Sequence, residues 1–275
     1  MKQIITALVA CMLCAINIGA VAGPEKDRKA VLEHHKKNLP NVKFEDYVYG
    51  ALALNPDAKA QYDEIMSFPP YLNDMDTAKA MWEKPFGNGK TFASCFPNGG
   101  KNVAGGYPYF DNDAGKVVTF ENALNACLKK NGEPELKYGS HELTLLSAHA
   151  KSLSDGMKVK VEVKGAGALA AYEKGKTLYY SRRGQFNFSC AVCHINYAGK
   201  FLRSEQLSPL VGQAAHWPEF RAGTDATSLQ ERFKQCQKNT RGVPSELNSE
   251  EYNNLEYFIT YMSNGLPMQT PVFRK

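Results

Sequence analysis

The spacing of apolar residues along the chain predicts helices in several places. The first apolar block is different: Lys2 precedes an almost unbroken run from Ile4 to Ile18, which ends at Ala20-Val21-Ala22. A basic start, a short apolar stretch and a small-x-small terminus read as an export signal, cleaved to leave Gly23. The run falls short of the roughly 20 residues that span a bilayer. Further along, Ala168 to Tyr180 places Leu169, Tyr172, Leu178 and Tyr179 on one side of a predicted helix. Ser228-Leu229-Gln230-Glu231 has the form of a capping box, in which the first side chain and the fourth cap each other's backbone amides. Behind it Leu229, Phe233 and Cys236 follow at i, i+4 and i+7, a face that turns inward. Glu250–Ser263 predicts a last helix, with Tyr252, Leu255, Ile259 and Met262 spaced as core.

The chain also resembles itself. Shifted by 109 residues, Cys127 falls on Cys236, Leu146 on Leu255, Ser154 on Ser263 and Gly156 on Gly265. Each half then has a cysteine-bearing helix followed by a helix that ends in Ser-(Asp/Asn)-Gly, a good C-terminal stop. Gly89-Lys90-Thr91-Phe92 echoes Gly175-Lys176-Thr177-Leu178. This predicts an all-α protein of two similar units, residues 23–165 and 166–275, joined near Gly165-Ala166-Gly167.

Charge adds little, since 33 basic residues against 28 acidic ones give no reason to expect nucleic acid. Cysteines add more. Five lie beyond the export signal: Cys95, Cys127, Cys190, Cys193 and Cys236. An oxidising compartment pairs thiols, and five cannot all pair. Cys190-Ala191-Val192-Cys193-His194 is a C-x-x-C-H motif. Two thiols at this spacing can add to the vinyl groups of one haem while the adjacent imidazole binds the iron. Zinc would need a second ligand pair, and no second C-x-x-C follows. In the first half Phe92-Ala93-Ser94-Cys95-Phe96 stands where that motif would be. The two units are therefore expected to be cytochrome c-like domains of which only the C-terminal one binds haem, and Cys95 and Cys127 can close a disulfide across the vacated site.

Cys236 is then left over. Arg232, four residues before it, can lie beside its sulfur, and a nearby cation favours thiolate. As second iron ligand Cys236 competes with Met262, Met268 and His216, and the residues alone leave that choice open.

Phe186 to His194, Ala198-Gly199-Lys200, Leu202-Arg203, Leu207-Ser208, Ser228 to Cys236 and Ser263 to Met268 together resemble the SoxA family. The likeness is dense from about Tyr172 onward and looser before. It implies the catalytic cytochrome subunit of a thiosulfate-oxidising complex, an L-cysteine S-thiosulfotransferase subunit. Such an enzyme oxidatively couples thiosulfate to a cysteine of the carrier SoxYZ in the periplasm, with SoxX as cytochrome partner. Carried over, one covalent haem c sits on Cys190 and Cys193 with His194 as iron ligand. Cys236 is the distal ligand and, as a persulfide, the sulfur carrier, and Arg232 binds the anionic substrate. Where two-haem members have a first C-x-x-C-H this chain has Phe92 and Phe96, so it resembles the monohaem type with a Cys95–Cys127 disulfide. The competing expectations are an electron-transfer cytochrome, with Met268 or His216 on the iron, and a tetrathionate-forming thiosulfate dehydrogenase that needs no carrier.

Overall fold

The computed structural model describes residues 23–274; the export signal expected over 1–22 lies outside the described residues. Among them no helix is long and apolar enough to cross a membrane. Among the described residues eight α-helices carry the fold: α1 Pro24–Asn38, α2 Pro56–Ser67, α3 Leu72–Glu83, α4 Phe120–Lys130, α5 His141–Ser152, α6 Ala166–Tyr180, α7 Leu229–Asn239 and α8 Glu250–Met262. The expected all-α class needs a small correction, because loops between helices pair into strands two or three residues long. β1 Tyr109–Asp111 and β2 Lys116–Val118 form a hairpin, as do β3 Phe201–Leu202 and β4 Glu205–Gln206. β5 Glu219–Arg221 pairs antiparallel with β6 Asp225–Thr227 and parallel with β7 Val272–Arg274. Strands this short complete the backbone hydrogen bonding of buried loops.

The helix starts follow from local sequence. Thr119 with Asn122 opens α4 and Ser228 with Glu231 opens α7, each pair capping reciprocally. Ser140 and Ser249 cap α5 and α8 through their hydroxyls. These four starts also carry the internal repeat. Phe120 and Leu229, the first residues of α4 and α7, are 109 apart, as are His141 and Glu250 at α5 and α8. The hydroxyl of Ser154 accepts from Val103 N at 3.0 Å, and that of Ser263 accepts from Gly212 N at 3.2 Å. Gly156 and Gly265, a few residues past the ends of α5 and α8, both have positive φ. The upstream echo is not structural: Gly175 lies inside α6, whereas Gly89 sits in a turn at positive φ.

Helices α6 and α8 pack closely, with Tyr172 and Tyr179 each 5.3 Å from the Phe258 ring. Leu169, expected on the apolar side, is instead an exposed residue. The close approach depends on Gly175, where a Cβ would lie 2.0 Å from the Asn254 carbonyl oxygen. Gly175→Ala must push the helices apart, and over-packing of this kind costs roughly 1–3 kcal/mol. Thermal unfolding of the variant should show that loss, and an unchanged melting temperature would contradict the packing.

Residues 24–54, grouped by sequence with the first half, lie against the second. Asp27 accepts from the Tyr172 hydroxyl at 3.0 Å and from Lys176 Nζ at 2.6 Å. Arg28 Nη1 donates to Asn264 O, and His216 Nδ1 is 2.8 Å from Val48 O. These contacts span more than 140 residues of chain, and no local pattern announces them.

In the first half Cys95 and Cys127 form a disulfide, with Cα atoms 5.8 Å apart. Around it Trp82 stacks on Phe92 at 5.6 Å, and Phe96 lies 5.6 Å from Phe120. Phe92 and Phe96, standing where a haem motif would have cysteine and histidine, thus fill this half with aromatic core. Replacing both cysteines by serine should lower stability by roughly 2–4 kcal/mol, read from denaturant unfolding. No change would mean that the bridge constrains little.

Candidate functional site: a paired-thiol and imidazole centre facing α7

Ser189 starts a short helical turn by accepting from Val192 N at 3.3 Å, and the turn widens to π geometry over Val192–Asn196. Cys190 and Cys193 are half-buried on it, while Ala191, Val192 and Ile195 anchor it in the core. His194 is gripped by one neighbouring segment at two points. Its Nδ1 lies 2.8 Å from the Ser208 carbonyl, and its own carbonyl accepts from Leu210 N at 2.9 Å. Donation from Nδ1 to that carbonyl leaves the lone pair on Nε2, the arrangement that orients a metal-binding imidazole. Burial, with a smaller push from the Arg232 charge, lowers the His194 pKa to about 4, so the ring is neutral at physiological pH.

Helix α7 brings the leftover cysteine to the same place. Burial pushes the Cys190 thiol up to about 12, and the next influence on it is Cys236. Cys193 is raised by burial and again by Cys236. The buried phenol of Tyr179 feels Cys190, Cys193 and Cys236 together. Three cysteines, 46 residues apart at the extremes in sequence, therefore lie within electrostatic reach of one another. Two contacts hold α7 there. The loop 181–188 lies on its C-terminal end, with Phe186 N donating to Thr240 O at 3.3 Å. Gly184, at positive φ, makes this possible: a Cβ there would sit 2.3 Å from the Thr240 carbonyl. From α8, Tyr252 donates its hydroxyl to the Gln237 side chain at 3.2 Å, one residue past Cys236.

Arg232 lies one turn before Cys236, partly exposed, with Nη1 donating to Gln235 at 3.2 Å. Its charge reaches His194, so it borders the same centre. The rival iron ligands are placed elsewhere. His216 has both nitrogens engaged, Nδ1 with Val48 O and Nε2 with Glu219 Oε1 at 3.2 Å. Met262 is fully buried in α8, and Met268 lines a cavity with Tyr107, Trp217 and Glu256. Sequence reasoning passed over Ser208, Tyr179 and Tyr252 as parts of the site, because their roles depend on contacts no spacing encodes.

The donor set fits haem c. Two thiols one turn apart can form thioethers, and the adjacent imidazole is neutral with its metal-binding nitrogen free by tautomer. A mainly helical chain with this centre is a c-type cytochrome. Comparison with known proteins narrows the class. The family described as SoxA/TsdA, cytochrome c domain, matches residues 77–159 and 174–268. The L-cysteine S-thiosulfotransferase subunit SoxA of Chlorobaculum tepidum is 45% identical over 91% of this chain and 88% of its own. That of Allochromatium vinosum is 40% identical over 92% of this chain and 91% of its own. The crystal structure of SoxXA from P. pantotrophus superimposes with a TM-score of 0.69 at 29% identity, covering 75% of this chain and 79% of that one. The chain belongs to the SoxA/TsdA cytochrome c family.

Proposed function

We propose that the chain is the catalytic L-cysteine S-thiosulfotransferase subunit of a SoxAX-type complex, with one haem c attached through Cys190 and Cys193. The convergence of Cys236 on Cys190 and Cys193, with Arg232 one turn away, carries this reading. His194 Nε2 and the Cys236 sulfur would hold the haem iron. When bound, the haem supplies a one-electron acceptor beside the reacting sulfur.

The chain's own residues do the rest. The Arg232 guanidinium offers a fixed charge and paired donors to the sulfonate oxygens of thiosulfate. The Cys236 sulfur forms a bond to the outer sulfur of thiosulfate, and two electrons leave. A carrier thiolate then attacks that outer sulfur, takes the S-sulfonate group and restores the Cys236 sulfur. The net change is one new sulfur–sulfur bond on the carrier, two electrons and one proton released. Two electrons from a centre that accepts one at a time call for a second acceptor. The SoxXA neighbour supports a SoxX-type cytochrome in that role. The carrier is a SoxYZ-type protein. The residues beyond the export signal form two cytochrome c-like units, 23–165 without haem and 166–275 with it, and act in the periplasm.

The test is thiosulfate oxidation by the mature complex, with and without carrier. Consumption that requires the carrier, with the whole thiosulfate unit added to a carrier cysteine as an S–S–SO3 group, is expected. Tetrathionate formed without carrier would assign the chain to thiosulfate dehydrogenation instead. An intact mass should show one haem, the loss of two hydrogens for the disulfide, and extra sulfur on Cys236.

A further inference from the structure

Helix α1 lies before the residues matched by the family description, yet it reaches the side of the centre where His194 is held. His34 Nε2 is 3.3 Å from Ile195 O. The next residue, His35, is completely buried. Its Nε2 accepts from the backbone N–H of Leu210 at 3.2 Å, the same N–H that donates to the His194 carbonyl at 2.9 Å. Two residues earlier, the Ser208 carbonyl accepts from His194 Nδ1. The segment 208–210 thus fixes both the backbone and the ring of His194, and His35 shares the donor at its end.

Acceptance at Nε2 places the proton of the neutral ring on Nδ1. Burial disfavours the charged ring, in keeping with this tautomer. Among the described residues that Nδ1 has no hydrogen-bond partner, and neither has the buried hydroxyl of Tyr47. The two rings face each other with centroids 6.0 Å apart. A buried donor left unpaired is costly, and internal waters settle beside such polar atoms. We propose that His35 is a positioning residue for His194: it holds Leu210, and with it the segment 208–210, and a buried water joining its Nδ1–H to the Tyr47 hydroxyl completes the hold. The proposal rests on His194 being the haem-iron ligand.

The consequence is electronic as well as mechanical. A firm hydrogen bond from Nδ1 to Ser208 makes the imidazole a stronger donor and favours the oxidised iron. Loosening 208–210 weakens that bond, so the midpoint potential should rise. The experiment is redox titration and electron paramagnetic resonance of the purified complex carrying His35→Leu, His35→Gln or Tyr47→Phe. The wild type is measured first; a His/thiolate low-spin haem establishes the ligand reading, and its absence refutes that reading separately. His35→Leu should raise the potential and broaden the low-spin signal. His35→Gln, which keeps an acceptor for Leu210 N, should recover most of the shift. Tyr47→Phe, which removes one partner of the water, should move the potential less and in the same direction. A lowered melting temperature with unchanged potential and signal in His35→Leu would make the residue merely structural and overturn the proposal. Should His35→Leu yield no holoprotein, Tyr47→Phe decides: a shifted potential supports the proposal and an unchanged one overturns it.

Discussion

Cys236→Ser should abolish carrier-dependent thiosulfate oxidation while leaving the haem covalently attached. The proposed attachment uses Cys190 and Cys193, and serine replaces one atom of a half-buried side chain, so the fold should be retained. What is lost is a polarisable sulfur able to exist as thiolate and to bond a second sulfur; a serine hydroxyl stays protonated at neutral pH and does neither. Because the proposed role puts Cys236 on both the reacting sulfur and the iron, loss of turnover should coincide with loss of the sulfur-ligand signature in electron paramagnetic resonance. Full activity in this variant would show that the sulfur is not the catalyst, and an electron-transfer cytochrome would then be the better description. The position of His216 already weakens that alternative, since Val48 and Glu219 occupy both of its ring nitrogens.

Arg232→Ala should lower catalytic efficiency by about one to two orders of magnitude, because each charge-assisted hydrogen bond contributes roughly 1.5–3 kcal/mol. Arg232 is partly exposed and its one hydrogen bond to a neighbouring side chain is local, to Gln235, so truncation should cost little stability. The loss should fall on substrate capture more than on haem content. Lysine should rescue only partly, since an ammonium keeps the charge without the planar fork. Steady-state kinetics at varied thiosulfate concentration and two ionic strengths separates these contributions. Rescue to full activity by lysine would reduce the role of Arg232 to simple charge. An alanine variant with unchanged kinetics would remove it from the substrate site.

The candidate haem-binding residues were legible because C-x-x-C-H packs three chemical roles into five consecutive positions. Spacing also gave α7, since a capping box and an i, i+4, i+7 face are local and need nothing from the rest of the fold. The 109-residue shift was legible for the same reason: caps, helix lengths and glycine stops recur at fixed offsets. The family resemblance then assigned Cys236, where the residues themselves had left four candidate iron ligands open. Tertiary structure decided what lies between distant segments. It set Cys236 against Cys190 and Cys193, tied up both nitrogens of His216, and buried Met262 and Met268 in core. It also corrected details that local reasoning cannot reach. Leu169 faces solvent, because which side of α6 is buried depends on where α8 packs. Two similar Gly-Lys-Thr segments differ in conformation because only one meets a partner helix at Asn254. The segment 24–54 crosses to the second half, and its histidine meets Leu210 from 175 residues away. Sequence by itself determined the chemistry the chain carries and where its helices begin. Which groups meet was settled by packing, because burial and hydrogen bonding reward contacts between residues whose separation along the chain leaves no periodic trace.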